Sequence, residues 1–436
     1  MEWYWMLLLI FGGLIIIMMT GMPVAFCFLL VNLIGFFFFF GGAGLKQLAY
    51  SMYTSLNTFT LVPIPLFILM GDVLFFSGIA PLIINSLDKW IGRIPGRLSL
   101  LAVGAGTLFG ALSGASMATV AVLGSTLAPE MEKRGYKKPM SIGPILSTGA
   151  LDMMIPPSNI AVLLGALAAV SIGELLISII VPGLLLAVLY TGYIVVRCKL
   201  QPTLAPTFDV PPTPLLQKCI DTTRYVLPIG FVIFMVTGVI FLGVATPSEA
   251  AATGALACLI LAAFYGKLNW ATLKKSFTST IEVSVMIFLI LASAGAYSQI
   301  VAYTGAVQGL TQLVTNLHVA PIIVMIGMQI VLLLLGTFLG IVPILMITIP
   351  LFMPVAAVMG FDEVWFATVF LLNMAISDIS PPFGLSLFVM KGVAPNTTLG
   401  DVFRAAMPFL YIDIVAMALV IAFPALALWL PALMRN

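Results

Sequence analysis

Ser147-Thr148-Gly149-Ala150-Leu151-Asp152-Met153-Met154-Ile155-Pro156-Pro157-Ser158-Asn159 sets two consecutive prolines, and a carboxylate one turn before them, inside a long apolar segment. Proline lacks the backbone donor of a helix and its ring clashes with the preceding turn, so the pair must break the helix it interrupts. The other half of the chain repeats the arrangement as Ser377-Asp378-Ile379-Ser380-Pro381-Pro382-Phe383-Gly384-Leu385-Ser386. Each copy is preceded by a Gly-Thr entry, Gly106-Thr107-Leu108-Phe109-Gly110 and Gly336-Thr337-Phe338-Leu339-Gly340. Broken helices at matching positions of two halves point to the binding site of a secondary transporter.

The composition allows little else. Of 436 residues, 62% are hydrophobic and 8% charged, where a soluble chain carries about 25% charged. Apolar blocks follow one another from Met6 to Leu430 without strand-like alternation, which predicts an all-α polytopic membrane protein. The N-terminal block reads as a first span, because Glu2 replaces a basic leader region. Four cysteines have no paired spacing, His318 is alone, and no phosphate-binding loop is present. Disulfides, a histidine metal centre, ATP-driven transport and enzymatic chemistry are therefore not expected, nor is a cofactor or a nucleic-acid partner.

Basic clusters mark cytoplasmic loops. They occur at Lys89/Arg93/Arg97, at Lys133/Arg134/Lys137/Lys138, from Arg197 to Arg224 and at Lys267/Lys274/Lys275. The first two flank the single apolar block Leu98 to Ala128 and would lie on opposite sides if it crossed once. A re-entrant hairpin turning around Gly110 to Ser116 resolves the conflict. Its arms of about 13 residues reach about 20 Å, short of a ~30 Å core. The expected architecture is two inverted repeats, residues 1–196 and 225–436, joined by a Pro-rich cytoplasmic linker at 197–224. Single helices are expected near 3–20, 22–40, 59–80 and 175–196, then near 225–243, 248–266, 276–298 and 405–432. The first repeat has an inner hairpin near 98–128 and a broken helix near 140–170. The second has an outer hairpin near 321–355 and a broken helix near 364–393. Of the 18 Lys and Arg residues, all but Lys46 and Arg435 then fall inside, with both termini outside.

Unwound segments expose carbonyls and half-helix ends that replace the water shell of a hard cation, and half-helix N-termini favour an anion. At the first break the candidate sodium ligands are Ser113, Ser116, Gly149, Asp152, Ile155 and Pro156. At the second they are Gly340, Ser377, Asp378, Ser380 and Pro381. Asp152 and Asp378 are the sharper signals, since a carboxylate at membrane depth demands a cation, a proton or a partner. Ser113, Ser158, Asn159 and Ser386 are candidates for the anionic head of a substrate, although Ser158 and Asn159 equally suit helix capping. Glu249 opens a helix after Thr246-Pro247 and reads as structural. Aligned on the prolines, Asp152 corresponds to Ser377, and aligned on the Gly-Thr entries, Pro343 and Met346 replace Ser113 and Ser116.

Several stretches resemble the large membrane subunit, DctM-like, of tripartite ATP-independent periplasmic (TRAP) transporters. They are Pro65–Gly71, Ala111–Ser116, Leu127–Tyr136, Met154–Asn159, Gly243–Ala250, Ser380–Leu385 and Lys391–Pro395. The resemblance implies an elevator-type carrier of the ion-transporter superfamily kind, in the bacterial inner membrane. It implies sodium-coupled uptake of a small organic anion, a carboxylate or sulfonate, with sodium as coupling ion. It also implies two partners, a small four-helix membrane subunit (DctQ-like) and a periplasmic substrate-binding protein (DctP-like). The family's sodium sites carry over to Ser113, Ser116, Ile155 and Pro156, and to Ser377, Ser380 and Pro381. Asp152 departs from the family, where glycine is common. The alternative is a self-sufficient sodium/dicarboxylate symporter of the same architecture.

Overall fold

The computed structural model describes residues 2–114, 116–208, 213–317, 319–394 and 396–434, with the side chains of Leu112 and Ser113 outside the description. Among the described residues every regular element is helical. Among the described residues, eight helical stretches of 18 residues or more are apolar enough to cross a membrane.

The chain opens with α1 (Trp3–Met19) and α2 (Val24–Phe40), then α3 (Gly44–Leu56), α4 (Pro63–Ser77) and α5 (Ala80–Asp88). The first hairpin is α6 (Arg97–Ser113) and α7 (Ser116–Lys133), turning at Gly114 in the left-handed region. Its arms exceed the expected length, but its ends still meet, the Leu98 amide donating to the Tyr136 hydroxyl at 3.3 Å. A single turn, α8 (Lys138–Ser141), leads into α9 (Gly143–Met154). Pro156 and Pro157 end this helix, which restarts as α10 (Asn159–Ala168) at a bend of 42°. The first half of the chain closes with α11 (Ile172–Ser178) and α12 (Ile180–Leu200).

Within the expected linker 197–224, the described residues after α12 are anchored to the first hairpin. The next helix is α13 (Leu215–Asp221). The Lys137 amide donates to the Leu204 carbonyl at 2.9 Å, and the Arg134 guanidinium lies 3.8 Å from the centre of the Phe208 ring.

The second half runs through α14 (Leu227–Phe241), α15 (Pro247–Phe264), the 34-residue α16 (Trp270–Tyr303) and α17 (Ala306–Asn316). Thr246 and Glu249 form a reciprocal N-terminal cap on α15, the structural role read for Glu249. The second hairpin is α18 (Pro321–Gly336) and α19 (Ile341–Val358), and the second broken helix is α20 (Glu363–Asp378) and α21 (Leu385–Val393). The expected last helix near 405–432 is two, α22 (Leu399–Ala422) and α23 (Ala425–Met434), because Pro424 follows Phe423 and cannot continue the turn. The helices α3 and α17 were not expected from the sequence. They are short and amphipathic, burying only Gly44, Leu48 and Ser51, and Ala306 and Gly309.

Packing follows a reciprocal pattern. The arms α6 and α7 rest on α9, while α18 and α19 rest on α20. The helices α9 and α20 then cross each other. Each second half-helix reaches into the opposite half, α10 onto α19 and α21 onto α7. Around this centre, α4 packs on α15 and α16 on α2 and α3.

Candidate functional site

Three close approaches seat the first hairpin on the first broken helix. A Cβ on Gly106 would stand 2.1 Å from the Thr148 methyl, and one on Gly110 would stand 1.9 Å from Asp152 Oδ1. At the tip, a Cβ on Gly114 would stand 2.9 Å from Asn159 Nδ2. Real Cβ contacts do not reach these values, so only glycine allows α6 to lie flush against α9. Asp152 is 1% exposed, and its nearest polar neighbour is Thr119 on α7. Neither carboxylate oxygen makes a well-formed hydrogen bond.

Asp378, from the second broken helix, is not confined to the second break. The Ser386 hydroxyl at the start of α21 donates to its Oδ2 at 2.5 Å, and the carboxylate also faces the Ser116 hydroxyl of the first tip. A point one Cβ out from Gly149 lies 3.0 Å from Asp378 Oδ2, 3.3 Å from Ser116 Cβ and 3.5 Å from Ser386 Oγ. Ser116, Gly149, Asp378 and Ser386 therefore converge. Their sequence positions suggested two separate groups, and the crossing of α9 and α20 merges them.

Other candidates are disposed differently. The Ser158 hydroxyl accepts from the Ala161 amide at 3.3 Å, so it caps α10. The Ser377 hydroxyl donates to the carbonyl of Asn373 at 2.9 Å and lies against Gly336, where a Cβ would come within 2.0 Å. Its side chain is thus used by its own helix and by the hairpin entry. Pro156 is buried and Ile155 half-buried, beneath Gly183 of α12, where a Cβ would meet the Met154 carbonyl at 2.2 Å. At the second break Ser380 is buried and Pro381 half-buried, but Pro382 and Phe383 are exposed. Gly340 is open, with nothing closer to a Cβ than Leu385 at 3.7 Å. The side chain of Ser113 lies outside the described residues.

A cavity of about 390 Å³ lies at this junction, bounded by Gly114 and Ser116 of the first tip and Gly340 and Pro343 of the second. Asn159 of the first break and Asp378 of the second also line it, facing α4 and α16. The volume is within the usual range for small-molecule sites. The sequence reading passed over one of its walls, Asp72 on α4. That residue accepts a hydrogen bond from the Thr280 hydroxyl of α16 at 2.9 Å. Its signal, the lone acid of an otherwise apolar helix, was the one used for Asp152 and Asp378. Asp413, buried on α22 and bonded to the Tyr190 hydroxyl, was missed likewise and lies away from the cavity.

The family described as "Tripartite ATP-independent periplasmic transporter, DctM component" matches residues 11–426. The chain belongs to this family. It is the large permease subunit of a TRAP transporter, a multi-pass bacterial inner-membrane protein and not an enzyme. It is 33% identical over 395 residues to the C4-dicarboxylate TRAP transporter large permease protein DctM of Pseudomonas aeruginosa, covering 90% of this chain and 91% of that one. It is 30% identical over 423 residues to the ectoine TRAP transporter large permease protein TeaC of Halomonas elongata, covering 95% and 96%. Among solved structures it shares its fold with the Alcanivorax borkumensis YdaH transporter, at a TM-score of 0.66, 14% identity and 90% coverage of each chain.

Proposed function

We propose that this permease subunit takes up a small organic solute bearing a carboxylate or sulfonate by sodium-coupled elevator transport. The solute is received from a periplasmic binding protein, and the permease works beside a small membrane subunit. The single observation that carries the proposal is the 390 Å³ cavity between both hairpin tips and both breaks. Sodium is assigned to the convergence of Ser116, Gly149, Asp378 and Ser386, with Asp152 behind it and the carbonyls of Ile155, Pro156, Ser380 and Pro381 as further oxygen donors. Ser113 belongs to the same set by its place at the tip. Ser377 and Gly340 are assigned only through their backbone oxygens.

The anionic head of the solute is assigned to Asn159 and Ser386, at the N-terminal ends of α10 and α21, where the helix dipole favours negative charge. Residues 1–196 and 225–436 are proposed as inverted repeats, a reading supported by the reciprocal packing of α10 on α19 and α21 on α7. Re-entry of the first hairpin is supported by the meeting of its two ends, where the Leu98 amide donates to the Tyr136 hydroxyl at 3.3 Å.

The test is uptake of labelled succinate and ectoine into vesicles holding the permease and its small subunit, with the binding protein outside. Uptake is expected only with an inward sodium gradient and the binding protein. Equal uptake in potassium would sink the coupling. Uptake without the binding protein would favour the self-sufficient symporter.

A further inference from the structure

The cavity has a charge that an organic dianion does not match. Its charged lining groups are Asp72 and Asp378, and among its described lining residues there is no Lys, Arg or His. Asp152 adds a third carboxylate behind the first tip. Sodium at the convergence described above offsets Asp378 and Asp152, which come from the two crossing helices. Asp72 is different, because it stands on α4, which belongs to neither broken helix. Its carboxylate accepts from the Thr280 hydroxyl and faces the Ser279 hydroxyl as well, and the Ser276 hydroxyl is spent on its backbone carbonyl at 3.3 Å. An ionised carboxylate has about four acceptor positions, so capacity remains for a ligand.

We infer that the solute is a zwitterion: its carboxylate is set toward Asn159, and a cationic group with N–H donors is set toward Asp72. This rests on the transport reading above and narrows its substrate class. One observation beside the charge count narrows the cationic group. No aromatic residue lines the cavity among the described residues, so the cage that holds a quaternary ammonium is missing and hydrogen-bond donors must take its place. Relatives of comparable identity are named for both classes, a C4-dicarboxylate at 33% and ectoine, a carboxylate joined to a protonated amidine, at 30%, so the lining carries the choice between them. A cation with N–H donors bonded to a carboxylate is a charge-assisted pair, while a second carboxylate at the same place meets only repulsion.

Binding to the purified permease and small subunit in lipid discs separates the possibilities without the binding protein's own selectivity. The probes are ectoine, succinate and glycine betaine, each with sodium, and sodium alone is followed by thermal stabilisation. Ectoine is expected to bind, glycine betaine more weakly and succinate not at all. Asp72→Asn is expected to weaken ectoine by at least about tenfold, and Asp72→Glu to restore most of it. Asp72→Lys is expected to turn the preference toward succinate. Stabilisation by sodium alone in each variant certifies that it is folded. Succinate binding as well as ectoine, no binding of ectoine, or full ectoine binding by folded Asp72→Asn each overturns the inference. Loss of the sodium effect in the unaltered protein counts instead against the sodium-coupled reading.

Discussion

At the first break Pro156 and Pro157 are buried, with Gly183 of α12 against the Met154 carbonyl; at the second, Pro382 and Phe383 are exposed and the Phe383 ring reaches Phe338 at 6.1 Å. The hairpins differ in the same sense. Gly106, Gly110 and Gly114 let the first lie flush on its broken helix, while the second has one such approach, Gly336 on Ser377, and an open tip at Gly340. The carboxylates invert the pattern: Asp152, at the tightly packed break, makes no well-formed hydrogen bond, and Asp378, beside the open one, is held by Ser386 and Ser116. Two breaks with the same backbone chemistry therefore do not make two equal sites. They make one polar centre, gathered at the first tip and supplied with its carboxylate by the second half.

Removing that carboxylate should give the largest effect. Asp378→Asn loses the charge that faces the cavity and weakens two charge-assisted bonds, each worth about 1.5–3 kcal/mol. Sodium half-saturation for uptake is expected to rise by roughly a hundredfold. Asp152→Asn is expected to do something else. Replacing a buried carboxylate that lacks good partners removes a burial cost. The protein should melt no lower in sodium-free buffer, while the gap between sodium and potassium melting curves narrows. Equal losses of sodium affinity in both variants would break the asymmetry between the two carboxylates.

The next effect is steric. Gly110→Ala drives a methyl to 1.9 Å from Asp152 Oδ1 and 2.8 Å from Asp152 Cα, so backbone must move. A loss of about 1–3 kcal/mol in stability is expected, with uptake falling further because α6 is lifted from α9. Gly340→Ala meets nothing nearer than 3.7 Å and should melt close to the parent protein. A melting series on both variants decides whether the two hairpins are fitted as differently as they look. Ser116→Ala sits below these: it removes one hydroxyl from Asp378, and several-fold weaker sodium dependence is expected, with stability little changed.

How much of this could be read beforehand follows from the range of the forces involved. The twin breaks were legible because Pro-Pro inside an apolar run has only one local outcome, and the turn between α6 and α7 because Arg97 and Lys133 flank one apolar block, with the second hairpin following from the repeated order of the second half. The helices α3 and α17 were not, since a search for long apolar blocks passes over short amphipathic segments such as the one carrying Lys46 and Gln47. The merging of the site was out of reach for a different reason. Position along the chain ties Asp378 to Pro381, and nothing local says that α20 crosses α9 and delivers that carboxylate to Ser116. Asp72 was within reach by the rule applied to Asp152, but it lies on a helix distant in sequence from both Pro-Pro pairs, whose signal drew no attention to it.

The smallest effect lies where the hairpins begin and end. The outer ends of the first are tied by ion pairs, Arg97 Nη2 to Asp88 Oδ2 at 2.8 Å, Lys138 to Glu132, and Lys89 on α5's end to Asp221 on α13. Beside the second, Asp362 instead caps α20, accepting from the Val364 and Trp365 amides at 2.9 Å. The hydrogen bond from Lys89 holds the Asp221 carboxyl below its usual range. A depressed folded value means that this pair stabilises above the unfolded value of about 3.9 and stops doing so as pH falls through the lower folded one. Asp221→Asn should therefore lower the melting temperature slightly at neutral pH, by less at high salt, and not at all once acid has protonated the parent. A difference that persisted unchanged below that window would show that Asp221 acts through packing of α13 and not through its charge. The first hairpin's anchoring would then be steric at its base as well as along its length.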